Sequence, residues 1–341
     1  MANFLENLVL TNENIKDLRE LINVNTLRDE RISDYVRVVA ARSGDRLGLI
    51  SGVEIGTAGC ACDPTYVSMN PTDVLKVWAL GCWEAPLKVC SKDMEGTIAE
   101  YALRNGSNIG DLTGTQVLSE VIEPLLKDSN MDMIFRLAWF GDTAAATIAN
   151  GGSITNGTDL KLINVCDGFW KRIYTQVTAN SSQKTAITTN TKAAMTASGA
   201  ATALIEQMIV DAPAALMAKT NKVIYMTNAM KTALTLDMKK TYSCALPWTV
   251  LTDGVTTTEF DGIQYVAIGK WDEHIAAYEN GAKPYRALLT VKDNLLLGTP
   301  AGEFVEDFDL FFDRTTRNFH MYGTGKIGTM LLEDGMFQAA Y

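Results

Sequence analysis

Two histidines are all the imidazole this chain offers. A Ser-His-Asp or Cys-His nucleophile needs one of them held by an acid. His274 lies in Trp271-Asp-Glu-His-Ile with acids beside it, and His320 lies between Phe319 and Met321 in a β-prone run. Both read as structural or surface residues. Cys60-Ala-Cys62 is the close thiol pair, and neither histidine falls within ligand spacing of it, which argues against a zinc site. The carboxylates Glu303, Glu306, Asp307 and Asp309 could do acid–base work, but the solvent face of an amphipathic strand accounts for them. Gly323-Thr-Gly-Lys326 invites a phosphate-loop reading; His320 stands where the motif requires glycine, and the context is β-rich. Asn105-Gly-Ser, Asn156-Gly-Thr and Asn180-Ser-Ser match glycosylation acceptors, which matter only in a secreted chain. The sequence assigns no catalytic residue, metal ligand or cofactor.

Composition narrows the class. At 341 residues the chain can bury a large core, near the length at which one core begins to split in two. An apolar content of 47% with 21% charged residues is ordinary for a folded, soluble protein. No apolar run is long enough to span a bilayer. The start, Met1-Ala-Asn-Phe-Leu-Glu, lacks the basic residues and cleavage site of a signal peptide, so synthesis and residence in a cytoplasm are expected. Cys60, Cys62, Cys82, Cys90, Cys166 and Cys244 are scattered, and reduced thiols are the default there. A net charge of −10 argues against a dedicated nucleic-acid reader. Yet six of the twelve arginines fall in the first 46 residues: Arg19, Arg28, Arg31, Arg37, Arg42 and Arg46. They read either as a solvated helical face or as an arm against acidic neighbours or nucleic acid.

The elements that would position these residues alternate without a regular βαβ cycle, which predicts an α+β fold. Residues 1–46 show two short helical stripes, Ile15, Leu18, Leu21, Ile22 and then Ile32, Tyr35, Val36, Val39, each too narrow for a core of its own. They call for a partner surface on another subunit. Glycines and Asp63-Pro64 punctuate a long two-stranded excursion, with a returning strand over Val74–Val89. Helices are expected after Ser91 and from Thr115 to Trp139, broken or kinked at Pro124. Beyond the loop at 149–157, helices are predicted over Val165–Val177, Ala193–Val210 and Ala229–Lys240. A polar loop should cover 181–192, and Asp211-Ala-Pro213 should open a short helix. Strands are expected at Val223–Met226, after Phe260-Asp-Gly, and on both sides of Asp293-Asn294. The final stretch from Glu303 to Tyr341 alternates β-rich runs with turns, so the last residues should be tied into a sheet.

That closing stretch resembles the last strands of tailed-phage major capsid proteins of the Hong Kong 97 fold. Four local matches support the resemblance in chain order: Leu137-Ala-Trp-Phe-Gly-Asp142, Asp167-Gly-Phe-Trp-Lys, Lys222-Val-Ile-Tyr-Met-Thr and Phe260-Asp-Gly-Ile-Gln-Tyr. The resemblance implies an N-terminal arm at 1–46, an extended hairpin loop at 47–90, a peripheral domain with a long spine helix at 91–159 and 301–341, and an axial domain at 160–300. It implies a structural shell subunit, not an enzyme, forming pentamers and hexamers of an icosahedral capsid around double-stranded DNA. The implied location is the virion, after assembly in a host cytoplasm. Itself, portal, scaffolding or decoration proteins and packaged DNA are the implied partners, without a membrane. Arg28, Arg31, Arg37, Arg42, Arg46, Cys60 and Cys62 are the inter-subunit contact candidates. Two departures are visible. The arm-like region is expected to begin within the first residues after Met1, where many members of the family carry a scaffolding extension, and Gly48–Leu75 contains no lysine for a covalent cross-link through the loop. An encapsulin-type compartment shell, and a soluble α+β enzyme or binding protein, are the alternatives.

Overall fold

The computed structural model describes residues 31–50, 73–90, 123–145, 160–241, 248–250, 256–260, 262–279, 281–300, 307–313, 315–316 and 318–341. In chain order the helices are α1 (Ile32–Tyr35), α2 (Glu123–Phe140), α3 (Phe169–Ala179), α4 (Lys192–Met195), α5 (Ala200–Asp211), α6 (Ala214–Met217), α7 (Asn228–Thr241) and α8 (Gly269–Tyr278). The strands are β1 (Arg37–Ala40), β2 (Arg46–Ile50), β3 (Asp73–Val77), β4 (Gly81–Cys90), β5 (Lys184–Thr185), β6 (Lys222–Thr227) and β7 (Thr249–Val250). They continue as β8 (Thr256–Phe260), β9 (Ile263–Ile268), β10 (Ala287–Val291), β11 (Leu295–Thr299), β12 (Asp307–Asp313), β13 (Asn318–Leu331) and β14 (Phe337–Ala340).

A seven-stranded mixed sheet runs β5-β14-β10-β6-β9-β8-β7. Its central strands are apolar at successive residues because both faces are covered, the pattern of an interior strand. Val223 and Tyr225 of β6 join one core with Trp139 of α2, Trp170 of α3 and Trp271 of α8. The alternate residues Ile224 and Met226 join a second core with Ile205 and Met208 of α5 and Met230 and Leu234 of α7. The first core is aromatic: Trp271 meets Trp139 at 4.6 Å and Trp170 at 5.1 Å between ring centroids, edge to face as ring quadrupoles prefer. It also reaches a second sheet, through Leu295, Leu297, Ile327 and Leu331. That sheet has five strands in the order β1-β11-β13-β12, with β4 also along β13. β2 and β3 form a separate antiparallel ribbon.

Several expectations need correcting. The Ile32, Tyr35, Val36 stripe does not wait for a neighbour: all three are buried in the chain's own aromatic core, and β1 pairs in parallel with β11. Tyr225 Oη donates to the Tyr35 carbonyl at 2.6 Å, and Lys292 Nζ to that of Asp34 at 2.7 Å. Removing residues 31–46 would therefore open the core. The first stripe, Ile15–Ile22, lies outside the described residues. The returning strand is two strands, because the chain crosses the sheet at Trp78–Leu80 and β4 then follows β13 and not β2. A division at residue 300 does not follow the sheets: β11 lies beside β13, whereas β14 lies between β5 and β10.

Locally, the Ala-rich helix is broken between α4 and α5 by Gly199, whose φ of +79° is the left-handed conformation glycine tolerates. Asp237 of α7 caps the restart, accepting from the amides of Gly199 and Thr202 and from Thr202 Oγ1. Asp211 ends α5, and Pro213 stands immediately before α6. Pro124 sits in the first described turn of α2, where its missing N–H costs little. The polar 181–192 loop carries β5, and the 269–278 segment, unassigned from sequence, is α8. Expected features at 51–72, 91–122 and 146–159 lie outside the described residues.

Candidate assembly surface

The residues that could have done chemistry are occupied structurally. His274 is buried on α8, stacked on Phe135 and Tyr278 at 5.6 and 5.4 Å, with Nε2 3.7 Å from Asp132 Oδ1. Lys270 Nζ approaches the same oxygen at 3.1 Å. Burial opposes the Asp132 charge, but His274, Lys270 and Arg136 together hold its carboxyl below the ordinary 3.8. Gly323–Lys326 is continuous strand, hydrogen-bonded to β4 along its length, and not a loop. His320 lies in the same strand opposite Phe311 and Lys88. Asp307 and Asp309 are in β12, whereas Glu303 and Glu306 lie outside the described residues. Cys166 is buried, and burial pushes its thiol up to about 12. Among the described residues no cluster of three or more His, Cys, Asp or Glu side chains could hold a metal, and no helix is long and apolar enough to cross a membrane.

The outer surface is where the contact candidates fall. Arg31, Arg37, Arg42 and Arg46 are all exposed, and the backbone amides of Arg31 and Arg42 are bound by Asp34 and Asp45. Those short turns fix the chain on both sides of β1 and leave the guanidiniums outward. Arg28, Cys60 and Cys62 lie outside the described residues. Sequence reasoning missed the apolar part of this surface. On β3, Leu75 and Val77 are 52% and 53% exposed. Register places Gly48 opposite Leu75 and Arg46 opposite Val77, so one face of the ribbon is apolar with an arginine at its end.

The other ribbon face is anchored. Leu47 packs near Trp78, Leu296 and Met330, and Lys76 Nζ reaches Asp334 Oδ1 at 2.6 Å and the Leu331 carbonyl at 2.7 Å. The crossing at Trp78–Leu80 lies over a slot made by two glycines paired in register, Gly298 of β11 and Gly328 of β13. A Cβ on Gly298 would sit 2.5 Å from the Trp78 ring, and one on Gly328 would sit 2.6 Å from the Ala79 carbonyl oxygen. Only glycine lets the crossing strand lie this close. The arrangement can hold an exposed ribbon rigidly against a packed body.

No protein-family model and no curated protein matches the sequence. The structure is similar to a chain of the satellite phage P4 procapsid, with TM-score 0.52 and 11% identity over 93% of this chain and 96% of that one. It is similar to a chain of Mycobacterium phage Ogopogo, with TM-score 0.54 and 10% identity over 90% of each. A chain of Microbacterium phage Oxtober96 gives TM-score 0.51 and 14% identity, over 90% of this chain and 89% of that one. The chain has the α+β fold of phage capsid proteins, the Hong Kong 97 type that its closing strands resemble.

Proposed function

We propose that this protein is a major capsid subunit that self-assembles into the pentamers and hexamers of an icosahedral shell enclosing double-stranded DNA. The observation that carries the reading is the match to a procapsid chain along nearly the full length of both proteins. Elements at the two ends of the chain are thus accounted for by one architecture. The surface supports it: an exposed ribbon with an apolar face, and the exposed Arg31, Arg37, Arg42 and Arg46, offer several modest contacts that sum by avidity in a closed shell. In this reading Arg28, Cys60 and Cys62 serve neighbours as well. Portal, scaffolding or decoration proteins and packaged DNA are the remaining partners, and the virion is the location.

The test is direct. Purified protein, examined by sedimentation velocity and electron microscopy under assembly conditions, should form closed shells or pentameric and hexameric capsomers. A stable compact monomer or a low-order oligomer as the sole species would overturn the reading.

A further inference from the structure

A recess of about 300 Å3 opens where the base of the ribbon meets α3 and the end of β13, lined by Lys76, Val77, Asp167, Lys171, Arg172 and Asp334 among others. Nearly every charge around it is satisfied within the chain. Lys76 is paired with Asp334 at 2.6 Å, and Lys171 with Asp142 at 3.1 Å. Asp167 accepts from the Thr143 amide at 3.0 Å and from its hydroxyl at 2.7 Å. Arg172 differs. Its Nε donates to Thr329 Oγ1 at 2.9 Å, and that hydroxyl donates onward to the Asp167 carbonyl. Among the described residues its two terminal nitrogens, Nη1 and Nη2, make no hydrogen bond or ion pair. The guanidinium is thus held at one edge, leaving its other edge, the fork suited to a bidentate acceptor, without a partner. Burial draws the Arg172 pKa below its ordinary value while Asp167 pulls it back, and an arginine stays charged throughout.

The geometry points to a docking site for a single carboxylate, an Asp or Glu side chain presented by a second copy of this chain, which takes the fork of Arg172 while the flanking residues cover Val77 and Leu75. The inference rests on the shell reading and names one of its contacts. Three properties select this occupant. Lys76 and Lys171 are each paired with a carboxylate, which leaves Arg172 as the lining cation open to an anion, and a single fork suits one carboxylate and not a run of phosphates. The rim is apolar at Val77, more than half exposed, which a protein segment can cover and a nucleic-acid backbone cannot. A second copy brings 40 acidic residues against 30 basic ones. Because the fork is pre-oriented, little side-chain entropy is lost on docking.

The experiment begins with wild-type shells, so that failure of the shell reading is seen before any variant is made. Arg172→Gln should then raise the protein concentration needed for assembly by about tenfold or more, the size of a lost charge-assisted bond, with the free subunit still folded and its Tm lowered only by the lost Nε bond to Thr329. The exposed rim supplies an arm that does not disturb the fold: Val77→Asp should impair assembly several-fold more than Val77→Lys, because only the first repels the incoming carboxylate. Equal effects of the two rim variants would overturn the proposal. So would wild-type assembly by Arg172→Gln, including the case in which its shells form normally but lose DNA, which would assign the recess to phosphate.

Discussion

Gly298→Ala tests whether the ribbon is positioned by the glycine slot beneath it. An added Cβ would stand 2.5 Å from Trp78 Cζ3, 2.8 Å from Cε3 and 3.0 Å from Cη2. Carbon contacts settle at about 3.5–4.0 Å, so the ring must retreat by about 1 Å. It has little room to do so. Trp78 is buried among Ala41, Leu296 and Met330. Its amide donates to the Asp45 carbonyl at 2.9 Å, and its carbonyl accepts from Gly44 at 2.8 Å. Overpacking of this kind costs about 1–3 kcal/mol, which for a chain of this size is a fall in Tm of about 1–4 °C. Gly335→Ala is the matched control, since its Cβ would meet nothing within 4 Å; it should melt with the wild type. Trp78→Leu in the Gly298→Ala background should cost less than Trp78→Leu alone, with a coupling of about 1 kcal/mol or more. The Gly298→Ala protein should also assemble only at higher concentration, because displacing the crossing tilts Leu75 and Val77. An unchanged Tm, or strict additivity in the double mutant, would refute the slot.

Two further outcomes follow from buried charge. Glu279→Ala should destabilise by about 3–5 kcal/mol in urea titrations, since it strands the Arg286 guanidinium, which Glu279 meets where both side chains are 1% exposed. Replacing both residues by well-packed apolar ones should recover most of that loss, and equal instability of the double variant would contradict the explanation. Asp132, held below the ordinary 3.8, contributes stability that is complete above that value and is lost as pH falls through its lower folded value. Asp132→Asn should therefore lower Tm near pH 6 and converge with the wild type well below pH 4; a constant difference across that range would exclude the linkage.

What was legible in the sequence was what local pattern encodes. Lys222-Val-Ile-Tyr-Met-Thr reads as an interior strand because each residue after Lys222 is buried, and α3 shows its apolar stripe at Phe169, Trp170, Ile173 and Val177. Helix α8 escaped notice because its ten residues bury only Trp271, His274 and Ile275 with Lys270, a stripe in which half of the members are basic residues. Strand β5 has two residues and exists only because β14 arrives beside it from more than 150 positions away. The same distance problem misdirected the reading of Ile32, Tyr35 and Val36: the period was right, but the covering surface was Tyr225 and Phe135 of the same chain. Arg172 lies off the buried stripe of α3, and nothing local announces that β3 passes beside it. The capsid resemblance was legible because it depends on the order of elements and not on any one contact.

On the proposed shell reading, a subunit must stay soluble before assembly and adhere afterwards, and the distribution of apolar exposure suits both demands. Large exposed apolar residues among those described are few, and Leu75 and Val77 sit together on one ribbon face. Two such residues fall short of the patch size that drives nonspecific association, yet in the proposed shell their repetition would sum. Such a sum accrues only if each ribbon is held in its docking geometry beforehand, because freedom lost on docking is subtracted at every contact. The glycine pair beneath Trp78–Leu80, the Lys76–Asp334 pair and the packing of Leu47 remove that freedom during folding. The exchange of strands between the two sheets carries the same logic inward. With β11 beside β13 and β14 beside β10, the short connections at 292–294 and 332–336 join the two sheets twice, which ties the ribbon's support to the rest of the body.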